Sequence, residues 1–284
     1  MCACGFQHLK LVNSKYESPN GETPEQYYQE ARQLLDKLGH SNSPGTDSRE
    51  IQAIASTILN VYETYSKSSP DRMAGFSRTR ELLHKCGWNS QAINSVEGPA
   101  AACFWLQRGM ELLSCLHFGI PVTWDTIDWK DNLESYSSLE IGRHREYLWM
   151  QRVIYIVIRI TNFLYASREA TPEDASARFS KWNELKAELE DWDARKPATM
   201  GPIAFIEQGN PIFQSVSEFN VTRSRFPQIY IPNKTGVFTQ IFYNTGMILL
   251  GKSYPYVPED MHIADMILSH SRTICGIVRN IEDR

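Results

Sequence analysis

Residues 97–129 read EGPAAACFWLQRGMELLSCLHFGIPVTWDTIDW, and the order of residue types in this stretch decides the fold class. Pro99 supplies a preset φ in a first helical turn, where its missing N–H has no partner to lose. Ala101, Phe104, Trp105, Leu112, Cys115 and Leu116 then recur at the three- and four-residue spacing of one helical face. Gly119 and Pro121 stop the run. Arg108 lies four residues after Phe104 and four before Leu112, so it projects from the apolar face. A guanidinium keeps its charge and needs a carboxylate or carbonyl partner there. Asp125 and Asp128, set between Trp124 and Trp129, are acids close in sequence. The stretch reads as the packing centre of a helical domain.

Helix signals recur on both sides of it. Residues 1–13 (MCACGFQHLKLVN) read as a helix beginning almost at Met1. Thr23-Pro24-Glu25-Gln26 is an N-cap, a first-turn proline and a capping-box glutamine, opening a helix with Tyr27, Ala31, Leu34, Leu35 and Leu38. Asp47, with Glu50 three residues on, opens a helix whose expected buried face is Ile51, Ile54, Ala55, Ile58, Leu59 and Tyr62. Pro70 starts the next, with Met73, Phe76, Leu82 and Leu83. Residues 139–167 predict the longest helix, with Trp149, Val153, Ile156, Val157, Ile160 and Phe163 inward. Arg152 and Arg159 flank that face and reach for carboxylates on neighbouring helices. Thr171-Pro172-Glu173-Asp174 opens a helix carrying Phe179, Trp182, Leu185, Leu189 and Trp192. Residues 197–233 carry Pro197, Pro202, Pro211, Pro227 and Pro232 and predict a long irregular segment, the kind that is usually functional or a lid. Two helices, 234–251 and 259–281, close the chain. No stretch alternates with period two for more than a few residues. The expected fold is all-α: one large multi-helix domain over 1–284, with the irregular segment near 197–233.

A chain of 284 residues can bury a sizeable core. Its net charge of −4 invites no nucleic acid. Seven tryptophans within an aromatic fraction of 11% point to thick aromatic packing or an aromatic-lined cavity. The six cysteines form no local pair of zinc-ligand spacing, so no metal and no disulfide framework is expected. The N-terminus has no apolar signal region. Val153–Leu164 is too short to span a bilayer and contains Arg159. The expected compartment is intracellular, nucleus or cytoplasm, and not secreted.

Six short elements resemble, in order, the fungal-specific transcription factor domain, the middle homology region of zinc binuclear-cluster transcription factors. Ala3-Cys4-Gly5-Phe6-Gln7-His8-Leu9 is similar to that family's early A-x-G-A-x-H-L helix. Ile58-Leu59-Asn60-Val61-Tyr62-Glu63 resembles its LL-x-x-YE helix, and Ala102 to Arg108 its aaFW-x-x-R element. Trp182 to Trp192, followed by Pro197, resembles its W-x-x-L…W…P element. Tyr243 to Pro255 is similar to its YH-x-x-x-ILL…P helix, with Asn244 where the family often has His. Ile274-Cys275-Gly276-Ile277 resembles its IcGI end. The resemblance implies an all-α regulator. The family's six-cysteine DNA-reading cluster and basic run have no counterpart in this sequence, and both ends look trimmed relative to the family.

The polar candidates each carry two readings. Arg108 anchors an anionic or carbonyl ligand, or forms a structural ion pair with Asp125, Asp128 or a distant Glu. His117 is a proton shuttle, or a last-turn partner of helix carbonyls. Glu63 is an acid or base, or the ion-pair partner of Arg152 or Arg159. Trp105, Trp149, Trp182 and Tyr243, with Arg108, line a pocket for a flat metabolite, or are plain core. His262, Asp265 and His270 do not share one helical face, so they predict no metal site. No nucleophile-elbow, zinc-peptidase, phosphate-loop or dinucleotide motif is present. Two functions are expected. One is a regulatory or metabolite-sensing helical domain without its own DNA-binding module. The other is a cofactor-free enzyme of fungal secondary metabolism, a cyclase, isomerase or dehydratase using Arg108, His117 and Glu63. The expected partners are a small-molecule metabolite and a protein partner or second copy; no cofactor, direct nucleic-acid contact or membrane is expected.

Overall fold

The structure, a computed structural model, describes residues 2–12, 21–39, 46–88, 98–122, 145–166, 175–207, 226–256 and 261–282. The fold is all-α, with one short two-stranded ribbon among the described residues. The chain divides into two compact units, Met1–Ile120 and Pro121–Arg284. The acidic aromatic tail with Trp124, Asp125, Asp128 and Trp129, the start signal at 171–174, and residues 208–225 of the irregular segment lie outside the described residues. No helix among the described residues is long and apolar enough to cross a membrane.

The first unit contains α1 (Cys2–Val12), α2 (Pro24–Gly39), α3 (Thr46–Ser66), α4 (Ser69–Lys85) and α5 (Pro99–Phe118). The capping box at the start of α2 closes in both directions. Gln26 N–H donates to Thr23 Oγ1 at 3.3 Å, and Thr23 N–H donates to Gln26 Oε1 at 2.7 Å. Helix α5 ends where Gly119 takes φ of 68°, which lets Ile120 N–H reach back to Cys115 O at 3.0 Å.

Helix α3 is the hub, packed on α1, α2, α4 and α5. Its buried face differs from the aliphatic stripe that the spacing predicts. Ile51 is 57% exposed, while Gln52, Ala53, Ser56, Thr57, Asn60 and Glu63 are buried beside Leu59 and Tyr62. Polar groups are buried here because partners on neighbouring helices satisfy them. Ser56 and Thr79 hydroxyls are 2.6 Å apart. Asn60 Nδ2 donates to Thr79 Oγ1 at 2.9 Å and to Gln107 Oε1 at 2.8 Å. Gln107 Nε2 donates onward to Phe76 O at 3.3 Å. The first unit is thus stitched together by a polar network running from α3 to α4 and α5. The aliphatic stripe instead lines a groove of about 300 Å³ with Ala31 and Leu35 of α2.

The second unit contains α6 (Arg145–Ala166), α7 (Ala175–Arg195), a 3-10 turn (Ala198–Met200), β1 (Ala204–Ile206), β2 (Gln228–Tyr230), α8 (Lys234–Lys252) and α9 (Met261–Glu282). Helix α8 is central, with α6, α7 and α9 packed on it. Asn233 caps it, its side chain accepting from Gly236 N–H. Gly246 lets three helices close up: a methyl group there would sit 2.8 Å from Leu189 Cδ2 and 3.3 Å from Val157 Cγ2. Most of the inward residues of α6 and α7 read from sequence are buried, Trp149, Val153, Ile156, Val157 and Ile160 on one and Trp182, Leu185, Leu189 and Trp192 on the other, while Phe163 and Phe179 are half-buried. Arg159 bridges them, paired with Glu188 and with Glu184 at 3.0 Å.

Part of the segment read as irregular is ordered. Strands β1 and β2 pair antiparallel, with Phe205 opposite Ile229. Ile229 and Ile231 are buried with Ile277 of α9, and Asn280 Nδ2 donates to Ile229 O at 2.7 Å. Three-residue strands carry too little alternation to register in sequence; partners distant along the chain hold them.

Candidate functional site

In the first unit, Glu63 lies 2% exposed at the junction of α2, α3 and α4. The expected partners Arg152 and Arg159 are not the ones that Glu63 has. Tyr28 O–H donates to its Oε1 at 2.7 Å, and Arg78 approaches the same oxygen at 3.8 Å. Oε2 has no hydrogen-bond partner among the described residues and packs on the backbone of Gly75. Tyr28 stacks on Tyr62 with ring centroids 4.9 Å apart, and Lys67 lies 4.6 Å over the Tyr28 ring. Lys67 also holds Glu25 at 2.7 Å, and Tyr62 O–H donates to Glu25 at 2.9 Å. Burial alone would raise the Glu25 carboxyl; hydrogen bonds from Lys67, Gln29 and Tyr62 outweigh it and hold the group below its usual range. Burial, with the neighbouring carboxylate second, pushes the Tyr28 phenol up and takes Tyr62 to about 12. Both phenols therefore serve as donors that clamp carboxylates, not as bases.

Arg108 stacks 4.6 Å over the Phe104 ring, on the face of α5 that its spacing predicts. Burial pulls its guanidinium down to about 9, opposed by the charge of Glu111 and reinforced by Arg80. The expected partners Asp125 and Asp128 lie outside the described residues. Glu111 is fully buried and paired with Arg80 of α4. Sequence reasoning passed over Glu111, Gln107 and Asn60, although their spacing carried a signal. Gln107, Glu111 and Ser114 on α5, and Ser56, Asn60 and Glu63 on α3, are polar residues at three- and four-residue intervals within apolar helices. Such a stripe on a central helix marks a buried network as readily as a solvated face.

His117 is exposed in the last turn of α5, its ring 4.7 Å from and nearly perpendicular to Phe118. Nine residues separate it from Arg108, which at about 1.5 Å and 100° per residue is about 13 Å along the axis and half a turn around it. The structure therefore does not bring these two candidates to one point. Trp105 is buried in the same helix, edge-to-face with Phe104 at 5.2 Å.

The other three aromatic candidates belong to the second unit. Trp182 Nε1 donates to Leu250 O at 2.7 Å, and Trp192 Nε1 donates to Trp149 O at 2.8 Å. Trp149 carries Arg152 4.8 Å over its ring, and its own N–H has no partner among the described residues. Tyr243 stacks on Trp192 at 6.0 Å and meets the His270 ring edge-on at 5.8 Å. Asn244 Nδ2 donates to Gln240 O at 2.7 Å, so its Oδ1 is the acceptor facing His270 Nδ1 at 2.8 Å. That fixes the imidazole proton on Nδ1 and leaves the lone pair on Nε2. Burial holds His270 below its ordinary value despite the opposing charges of Asp193 and Glu190. The same burial and acids push Tyr243 up to about 12.

A second groove, of about 390 Å³, lies between β1 and α9 and is lined by Phe205, Glu207, Pro227, Asp265, Leu268 and Arg272 among others. Asp265, set aside as a metal ligand, lines the second groove, while none of Glu63, Trp105, Arg108, His117, Trp149, Trp182 and Tyr243 lines either. No cluster of three His, Cys, Asp or Glu side chains among the described residues is placed to hold a metal ion. Comparison with family models, with curated proteins and with solved structures finds no match for this chain.

Proposed function

We propose that this chain is a metabolite-responsive regulatory helical domain of the fungal transcription factor kind, built to bind a small molecule and a protein partner rather than to catalyse a reaction. What carries the reading is that the family-like elements meet one another in space. Cys4 of the first lies with its Sγ 3.5 Å from Ile58 O of the second. Asn60 of the second donates to Gln107 of the third at 2.8 Å. Trp182 and Trp192 of the fourth reach Leu250 and Tyr243 of the fifth, by a 2.7 Å hydrogen bond and a 6.0 Å ring stack. Residues that resemble a family's signatures and also form the joints between helices are scaffold residues, and a scaffold is what a regulatory domain retains.

Catalysis by Arg108, His117 and Glu63 has less behind it. Helix α5 holds the first two on opposite sides, and Tyr28 and Gly75 enclose the third.

The test is to fuse the whole chain to a heterologous DNA-binding module and read a reporter gene. Reporter output that departs from the module alone, and shifts with metabolite extracts, is the expected result. Output identical to the module alone under every extract would overturn the reading.

A further inference from the structure

Aromatic rings at the start of α7 and just past the end of α8 form a box. Phe179 and Trp182 lie nearly parallel, 6° apart in plane and 6.2 Å between centroids. Tyr254 crosses both, at 80° to Phe179 and 74° to Trp182, with centroids at 6.2 and 5.2 Å. Tyr256 adds a further wall 5.2 Å from Phe179 and 5.9 Å from Tyr254. Trp182 forms the floor at 5% exposure, while Tyr256 is 45% exposed, so the box opens to solvent on the Tyr256 side. Elsewhere in the chain a Lys or Arg already covers an exposed or buried ring, as on Tyr28, Phe118, Phe104, Trp149 and Tyr155. No such cation lies over the four rings of the box among the described residues.

The helix that supplies Phe179 and Trp182 also carries a cation next to them in sequence. Arg178 precedes Phe179 and lies one turn before Trp182, on the stripe that continues through Leu185, Leu189 and Trp192. Residues four apart on a helix are side-chain neighbours. Its Nε is buried and has no hydrogen-bond partner, and its guanidinium forms no ion pair among the described residues. The other two arginines that flank the inward faces of this unit are engaged, Arg159 by Glu184 and Glu188 and Arg152 by the Trp149 ring. A buried donor without an acceptor is costly in a finished core and useful in a binding site, where the ligand supplies the acceptor.

We propose that Arg178 and the box of Phe179, Trp182, Tyr254 and Tyr256 bind a planar aromatic carboxylate. The aromatic body packs against Phe179 and Tyr256, offset or edge-on as ring quadrupoles favour. The carboxylate accepts from the Arg178 fork, whose planar donors match its two oxygens. Each half alone is insufficient: an aliphatic acid lacks the ring contact, and a neutral aromatic leaves the guanidinium unpaired. The proposal names the ligand class for the regulatory reading and rests on it only for the consequence of binding.

The experiment uses the full chain and 2-naphthoate as probe, followed by isothermal titration and saturation-transfer NMR. Cyclohexanecarboxylate and 2-naphthalenemethanol are the controls. Saturable naphthoate binding is expected, with the alcohol weaker by about tenfold or more, the usual size for a charged hydrogen bond, and cyclohexanecarboxylate weaker by about two- to tenfold, the usual size for a lost ring stack. Arg178→Met should reduce naphthoate to the level of the alcohol, and Tyr256→Ala should weaken it as well. Arg178 has no partner to lose among the described residues and Tyr256 is 45% exposed, so both variants are expected to keep the fold; circular dichroism checks it. Naphthoate that never saturates, or binds both variants as it binds the wild type, overturns the proposal. The reporter fusion separates the two conclusions. Reporter activity without naphthoate binding sinks the site and leaves the regulator; binding with a silent reporter does the reverse.

Discussion

Gly75 is the position where a single methyl group tests the polar core of the first unit. It sits mid-way along α4, where an ordinary glycine-to-alanine change stabilises a helix by about 1 kcal/mol. The added Cβ would lie 2.0 Å from Glu63 Oε2 and 2.9 Å from Asn60 Oδ1. The nearer atom is the tip of a flexible side chain, so the cost is set by what moving it breaks. Glu63 cannot swing away without losing the 2.7 Å hydrogen bond from Tyr28, and Asn60 is held by both Thr79 and Gln107. A hydrogen bond to a charged group is worth about 1.5–3 kcal/mol. Less the helix gain, Gly75→Ala should destabilise by about 0.5–2 kcal/mol, or about 0.3–1 M in a urea midpoint at an ordinary slope. Gly109 in α5 is the matched control, because nothing lies within 4 Å of its added Cβ. Gly109→Ala should raise the midpoint. In a Tyr28→Phe background the bond is already gone, so Gly75→Ala should cost less than in the wild type, and the double-mutant cycle reads that coupling. A Gly75→Ala midpoint at or above the wild-type value would refute the enclosed Glu63 as described.

Other expectations follow from the same contacts. Arg80→Met removes the ion-pair partner from the fully buried Glu111 and should cost on the order of 3 kcal/mol, read as a lower urea midpoint; an unchanged midpoint would mean that Arg80 does not neutralise it. Trp182→Phe leaves Leu250 O without its 2.7 Å donor and should cost about 1–2 kcal/mol, checked by thermal unfolding. His270 has a folded pKa below its ordinary 6.5, so the unfolded chain takes up the proton first as pH falls. Stability from this group is therefore complete above about pH 6.5 and declines as pH drops from there toward the lower folded value. His270→Gln should flatten that part of the stability–pH curve, and a slope equal to the wild type's would place the titration elsewhere.

The sequence alone determined the fold class and most helix boundaries, because both are written locally. Pro99 and Gly119 delimit α5, Thr23 and Gln26 form the capping box of α2, and the stripe Trp182, Leu185, Leu189, Trp192 is buried as its spacing demands. Local rules also placed Arg108 against Phe104, four residues away on one helix. Tertiary structure decided which face of α3 goes inside, since Ile51 and Asn60 exchange the roles that hydrophobicity assigns them once Thr79 and Gln107 are present. It gave Glu63 to Tyr28 and Arg78, gave Arg159 to Glu184 and Glu188, and paired strands β1 and β2 too short to announce themselves. It alone set Phe179 and Trp182 at the start of one helix against Tyr254 and Tyr256 just past the end of another, and left the buried Arg178 Nε of the first helix without an acceptor among the described residues. A helix period is set by hydrogen bonds four residues apart and can be read from one chain segment. The partner of a buried charge or the wall of an aromatic box comes from residues tens of positions away, and only the packed chain brings those together.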